Sequence, residues 1–111
     1  MNTEIVYLYR DASNYKKWND VIVAGGMSES DLDFIKKCLM VDNTFIPEQI
    51  GLPLLRPDAN ITEDDHCFAE LCVEEIKRTC EPPTIDVSWR NIMDSFNNVW
   101  KTGWRIEEYA I

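Results

Sequence analysis

Apolar and polar positions along this chain change period several times, and each change marks an element. Residues 4–10 run Ile5, Val6, Tyr7, Leu8 and Tyr9 between a Glu and an Arg. β-branched and aromatic side chains of this kind suit a pleated, half-buried surface, so the stretch predicts a strand. Asp11-Ala12-Ser13-Asn14 is turn chemistry, because short polar side chains hydrogen-bond the local backbone. Beyond it, Trp18, Asp20 and Ile22 alternate with Asn19, Val21 and Val23, and Gly25-Gly26 ends the run. That period of two predicts a second strand over residues 18–23, closing a hairpin.

The period then lengthens. Ser28 can cap a helix, and Glu29 and Asp31 suit its positive end. Leu32, Ile35 and Leu39 fall on one face, and the helix should stop near Met40, before Asp42-Asn43. Thr44-Phe45-Ile46 ends at Pro47 and reads as a brief strand. Residues 51–60 form an irregular loop carrying Arg56, and binding segments often lie on such loops. Residues 62–80 admit two readings. A helix would align Phe68, Leu71, Cys72 and Ile76, whereas strands would alternate Cys67, Ala69, Leu71 and Val73 with His66, Phe68 and Glu70. Strands with a turn or bulge at Glu74-Glu75 are preferred, because a lone hairpin needs more sheet beside it.

Pro82-Pro83 stops whatever precedes it, and Asp86 or Ser88 caps a final helix. Trp89, Ile92, Met93, Phe96, Val99 and Trp100 make its apolar stripe, and Gly103 suits its end. The stripe is broad for a small sheet. Either the helix is a large core element, or part of it packs on a second subunit. The predicted class is α+β: an antiparallel sheet of four to five strands with two amphipathic helices, residues 1–111 forming a single ligand-binding domain.

Length and charge narrow the function. A chain of 111 residues has room for one core, and 45% hydrophobic content favours folding over disorder. No run approaches the about 18 apolar residues of a membrane span. Met1-Asn2-Thr3-Glu4 lacks the basic and apolar blocks of an export signal, so the expected compartment is the cytoplasm, without a membrane. There Cys38, Cys67, Cys72 and Cys80 should stay reduced as small buried hydrophobes. A zinc set from His66, Cys67, Cys72 and Cys80 lacks the usual closely spaced pair, so no metal is expected.

The net charge is −9, from 20 acidic and 11 basic residues, which opposes wrapping a nucleic-acid backbone. Basic residues nevertheless recur beside aromatics, as in Tyr15-Lys16-Lys17-Trp18, Trp89-Arg90 and Trp100-Lys101-Thr102-Gly103-Trp104-Arg105. Such pairs suit a local pocket for a stacked base and a phosphate.

Catalysis has little to stand on. His66 is the sole histidine, and on a strand it and Cys67 would point to opposite faces. Gly25-Gly26 carries no phosphate-loop pattern around it. The expectation is therefore a non-enzymatic binding protein without a cofactor. Arg56 and Arg105 are the guanidinium candidates for phosphates, and Phe45, Trp89 and Trp104 the candidate stacking surfaces. Asn14, Thr84 and Asp86 are candidate partners for ribose hydroxyls. Against these stands a plainer reading, in which Trp89 is core and the arginines pair with surface acids.

Three segments carry a family resemblance: Tyr7-Leu8-Tyr9-Arg10-Asp11-Ala12-Ser13-Asn14-Tyr15-Lys16, Phe45-Ile46-Pro47-Glu48-Gln49-Ile50-Gly51-Leu52-Pro53, and Asp64-Asp65-His66-Cys67. The chain resembles the small phage proteins that act as Thoeris anti-defence sponges, sequestering cyclic ADP-ribose signals made by bacterial TIR-domain immunity. The resemblance implies a homodimer or higher homo-oligomer with its ligand pocket between subunits, and capture without degradation. A net charge of −9 around an anionic ligand is the departure from that expectation. The alternative is an acidic DNA mimic that blocks a bacterial defence nuclease, which the charge fits directly.

Overall fold

The computed structural model describes residues 1–10, 16–53 and 68–105. Strand β1 (Asn2–Arg10) turns back into β2 (Lys16–Val23), and the two pair antiparallel along their full length, with Leu8 opposite Trp18 and Glu4 opposite Ile22. Helix α1 (Glu29–Cys38) follows, then β3 (Thr44–Phe45), β4 (Ala69–Leu71), β5 (Lys77–Thr79) and helix α2 (Trp89–Thr102). The sheet runs β2-β1-β4-β3, and β5 pairs the start of β1. Among the described residues, the α+β class with an antiparallel five-stranded sheet and two helices is therefore observed.

Alternation along β1 decides where the core lies. Thr3, Ile5, Tyr7 and Tyr9 are buried on one face, joined by Val21 and Val23 of β2. Ile35 and Cys38 of α1 and Trp89, Ile92 and Phe96 of α2 belong to the same cluster, so both helices cover that face. Burying one Leu- or Phe-sized side chain stabilises by about 1.5–3 kcal/mol, and this cluster is the main driving force of the fold. The other face, carrying Glu4, Val6, Leu8, Trp18, Asp20 and Ile22, is open at Trp18 and Asp20, although Leu8 is itself buried.

Local chemistry explains the boundaries. Ser28 caps α1 by accepting from the Asp31 amide, while Asp31 accepts from the Ser28 amide. Ser88 and Asn91 repeat this reciprocal pairing on α2, so Ser88 and not Asp86 is the cap. Gly103 ends α2 at φ 81°, its amide reaching the Val99 carbonyl at 2.7 Å. Gly25 ends β2 at φ 101°, where a side chain would be strained. Its carbonyl accepts the buried Thr3 hydroxyl at 2.6 Å.

The ambiguous stretch resolves into short strands. β4 and β5 are separated by a 3-10 turn, Val73–Glu75, which puts Glu74 and Glu75 outside and Val73 inside. The broad stripe of α2 is spent mainly within the chain: Trp89, Ile92, Phe96 and Val99 are buried and Met93 half-buried. Trp100 is 56% exposed, edge-on to Phe34 with ring centroids 5.9 Å apart. No helix among the described residues is long and apolar enough to cross a membrane.

Candidate functional site

The aromatic residues singled out by their basic neighbours have different fates. Phe45 is fully buried, its ring edge-to-face with Tyr7 at 5.7 Å. Tyr7 is itself held by donating to the Pro53 carbonyl at 2.7 Å and accepting from Asn19 at 3.1 Å. Burial pushes its hydroxyl up to about 12, so it remains a neutral donor. Trp89 is 4% exposed and donates its indole N–H to Asp31 at 2.8 Å, which ties α2 to α1. Trp104 is half-buried, edge-on to Phe96, and donates to the Cys38 carbonyl at 2.9 Å. Neither Phe45 nor Trp89 offers an open ring face in this structure. Trp89 and Trp104 sit at opposite ends of α2, a helix on the order of 20 Å long.

The polar candidates are dispersed as well. The Arg105 backbone exchanges two hydrogen bonds with the Gln49 side chain, at 3.0 Å each, and its side chain is exposed. Thr84 borders β2, donating its amide to the Ile22 carbonyl at 2.8 Å and accepting the Ile22 amide on its hydroxyl at 2.9 Å. Asp86 is exposed in the same segment. Asn14, Arg56, His66 and Cys67 lie outside the described residues. Cys38, Cys72 and Cys80 are free thiols.

The void between Trp89, Ile92, Phe96 and the sheet measures about 10 Å³, no more than one water requires. A groove of about 560 Å³ lies elsewhere, lined by Val6, Trp18, Lys36, Leu71, Cys72 and Val73, with Asn43, Glu74 and Glu75. The 3-10 turn after the short β4 interrupts the ladder between the β4 and β5 partners of β1, and there Val6 and Cys72 meet through the Cys72 amide and Val6 carbonyl. Trp18 is 60% exposed. Burial, reinforced by Glu75 and Glu70, pushes the Cys72 thiol up, so it is a thiol rather than a nucleophilic thiolate near neutral pH.

The groove thus combines an accessible indole, one ammonium, two carboxylates and an apolar floor. Sequence reasoning passed over Trp18, Lys36, Glu74 and Glu75 as site residues. The signal for Trp18 lay in its phase: it shares a face with Asp20, opposite the one carrying Val21 and Val23. A large aromatic in the polar phase of a strand is exposed unless something covers it.

Beside the groove the open face is electrostatically crowded. Glu4 pairs with Lys77 at 3.2 Å and also meets Asp20 across the β1–β2 ladder. Desolvation, then hydrogen bonding to and repulsion from Glu4, push the Asp20 carboxyl up to about 6; the Asp20 hydrogen bond and Lys77 hold Glu4 below its usual range. The pair shares a proton in mild acid. A carboxyl raised in the fold binds more protons there than in the unfolded chain. Its contribution is complete below the unfolded value and is lost as pH rises through about 6. In dilute solution, Asp20→Asn should therefore raise the melting temperature at neutral pH and leave it little changed near pH ~4. A wild-type–variant difference that does not vary with pH would contradict the shared proton.

Comparison of the chain with protein families, with characterised proteins and with solved structures found no match to any of them.

Proposed function

We propose that this protein is a phage-encoded anti-defence sponge, which binds a cyclic ADP-ribose-type immune signal in the host bacterial cytoplasm and holds it without degrading it. The observation that carries this reading is the groove beside Trp18. Its volume of about 560 Å³ falls within the roughly 300–1,000 Å³ of small-molecule sites. The Trp18 indole suits stacking on a base, and the Lys36 ammonium suits a phosphate. Glu74 and Glu75 suit ribose hydroxyls, which donate to carboxylates. In this assignment the acids of the groove recognise sugar, which eases the conflict between a charge of −9 and an anionic ligand. The three segments that resemble Thoeris anti-defence sponges support the same ligand class.

The test is recovery. Protein loaded with cyclic ADP-ribose isomers, freed of excess ligand and then heated should release the ligand intact. A cleaved product would make the protein an enzyme, and release of no nucleotide would refute capture.

A second reading is favoured by one observation. Glu4, Asp20 and Glu70 share the open sheet face, and Glu74 and Glu75 flank it. An acidic surface of this kind suits a basic groove on a partner, as in a DNA mimic that blocks a defence nuclease. That reading expects a complex with a basic protein that dissociates steeply with salt.

A further inference from the structure

The outer edge of β2 is half closed and half open. In its ladder with β1, the Val6 carbonyl faces the Cys72 amide, away from β2, so odd-numbered β1 residues bond β2 and even-numbered β2 residues point their backbones outward. Ile22 conforms: its outward amide and carbonyl are both taken by Thr84. Further along, Ala24 bridges to Ser88, and its carbonyl accepts from Trp89. Towards the other end of the strand, the outward groups of Asp20, Trp18 and Lys16 have no partner among the described residues. Burial follows the same division. Val21 and Val23 are buried and Ile22 half-buried, whereas Lys16, Lys17, Trp18 and Asp20 are exposed.

The open stretch reads Lys16-Lys17-Trp18-Asn19-Asp20, and it is self-complementary about its centre. An antiparallel second copy related by a two-fold axis at Trp18 places Trp18 opposite Trp18, and each Lys16 opposite the other copy's Asp20. Lys16, Trp18 and Asp20 all lie on the sheet face opposite the one carrying Val21 and Val23, and all present outward backbone groups. The register that aligns the charges is therefore the one that pairs the free amides and carbonyls. Asp20 also gains an ammonium of its own, whereas within one chain it shares Lys77 with Glu4. We infer that β2 is a homodimerisation edge, at which a second copy of this chain adds its own β2 through residues 16–20 and continues the sheet across a two-fold axis.

This inference does not depend on what the groove binds, and its test uses no nucleotide. Sedimentation of the wild-type chain over a wide concentration series should show a monomer–dimer equilibrium. Lys16→Asp or Asp20→Lys alone sets like charges against each other twice, and should weaken association about tenfold. The double variant Lys16→Asp/Asp20→Lys restores opposite charges and should restore the dimer. As a readout that needs no variant, the Trp18 and Asp20 amides should exchange slowly with solvent in the dimer and quickly on dilution. A chain that stays monomeric, or a dimer indifferent to the charge swaps, overturns the assignment; the edge lysines then serve to repel other strands.

Discussion

Replacing Trp89 by Ala is expected to lower the unfolding free energy by about 3–5 kcal/mol, a large share of the roughly 5–15 kcal/mol that holds a small domain together. Two separate side-chain functions are lost at that position. The indole fills core space between the sheet and both helices. Its N–H joins the first turn of α2 to Asp31 in the first turn of α1. Ala keeps the backbone amide that bonds the Ala24 carbonyl at 2.7 Å where β2 ends, so that link between helix and strand survives the substitution. Urea denaturation should show a much lower midpoint. Trp89→Phe should recover most of the loss, falling short by the hydrogen bond to Asp31, on the order of 1 kcal/mol for a partly exposed pair. An Ala variant as stable as the wild type would return Trp89 to the list of binding surfaces.

Trp18→Ala should behave in the opposite way. The indole is 60% exposed on the open face, so its removal should change stability by less than about 1 kcal/mol. If the groove takes a nucleotide base against this ring, stacking contributes about 1–3 kcal/mol, and affinity should fall between about fivefold and a hundredfold. The two tryptophans thus separate fold from binding in one pair of variants. Unchanged nucleotide affinity in a folded Trp18→Ala protein would move the ligand away from the groove.

Much of the architecture was legible because it rests on local chemistry. Alternation set the faces of β1 and β2, Ser28 with Asp31 and Ser88 with Asn91 supplied reciprocal caps, and Gly103 supplied the stop. Residues 68–80 were harder, since β4 and β5 hold only three residues each and owe their extended form to pairing with β1. The site was the least legible part. A Trp beside an Arg has the same local sequence whether its ring is sealed, as in Trp89, or half open, as in Trp104. Phe45 looked available at the end of a two-residue strand, but its place opposite Ala69 sends its ring onto Tyr7. Which aromatic faces water is settled by packing partners distant in sequence, and only strand phase marked Trp18 in advance.

The central claim is that the groove beside Trp18 captures a cyclic ADP-ribose-type nucleotide. Calorimetric titration of the purified wild-type chain with the cyclic ADP-ribose isomers tests it most directly. The account predicts saturable, tight binding of at least one isomer. Absence of binding heat for every isomer, at more than one temperature, would contradict it and favour the acidic protein-binding inhibitor.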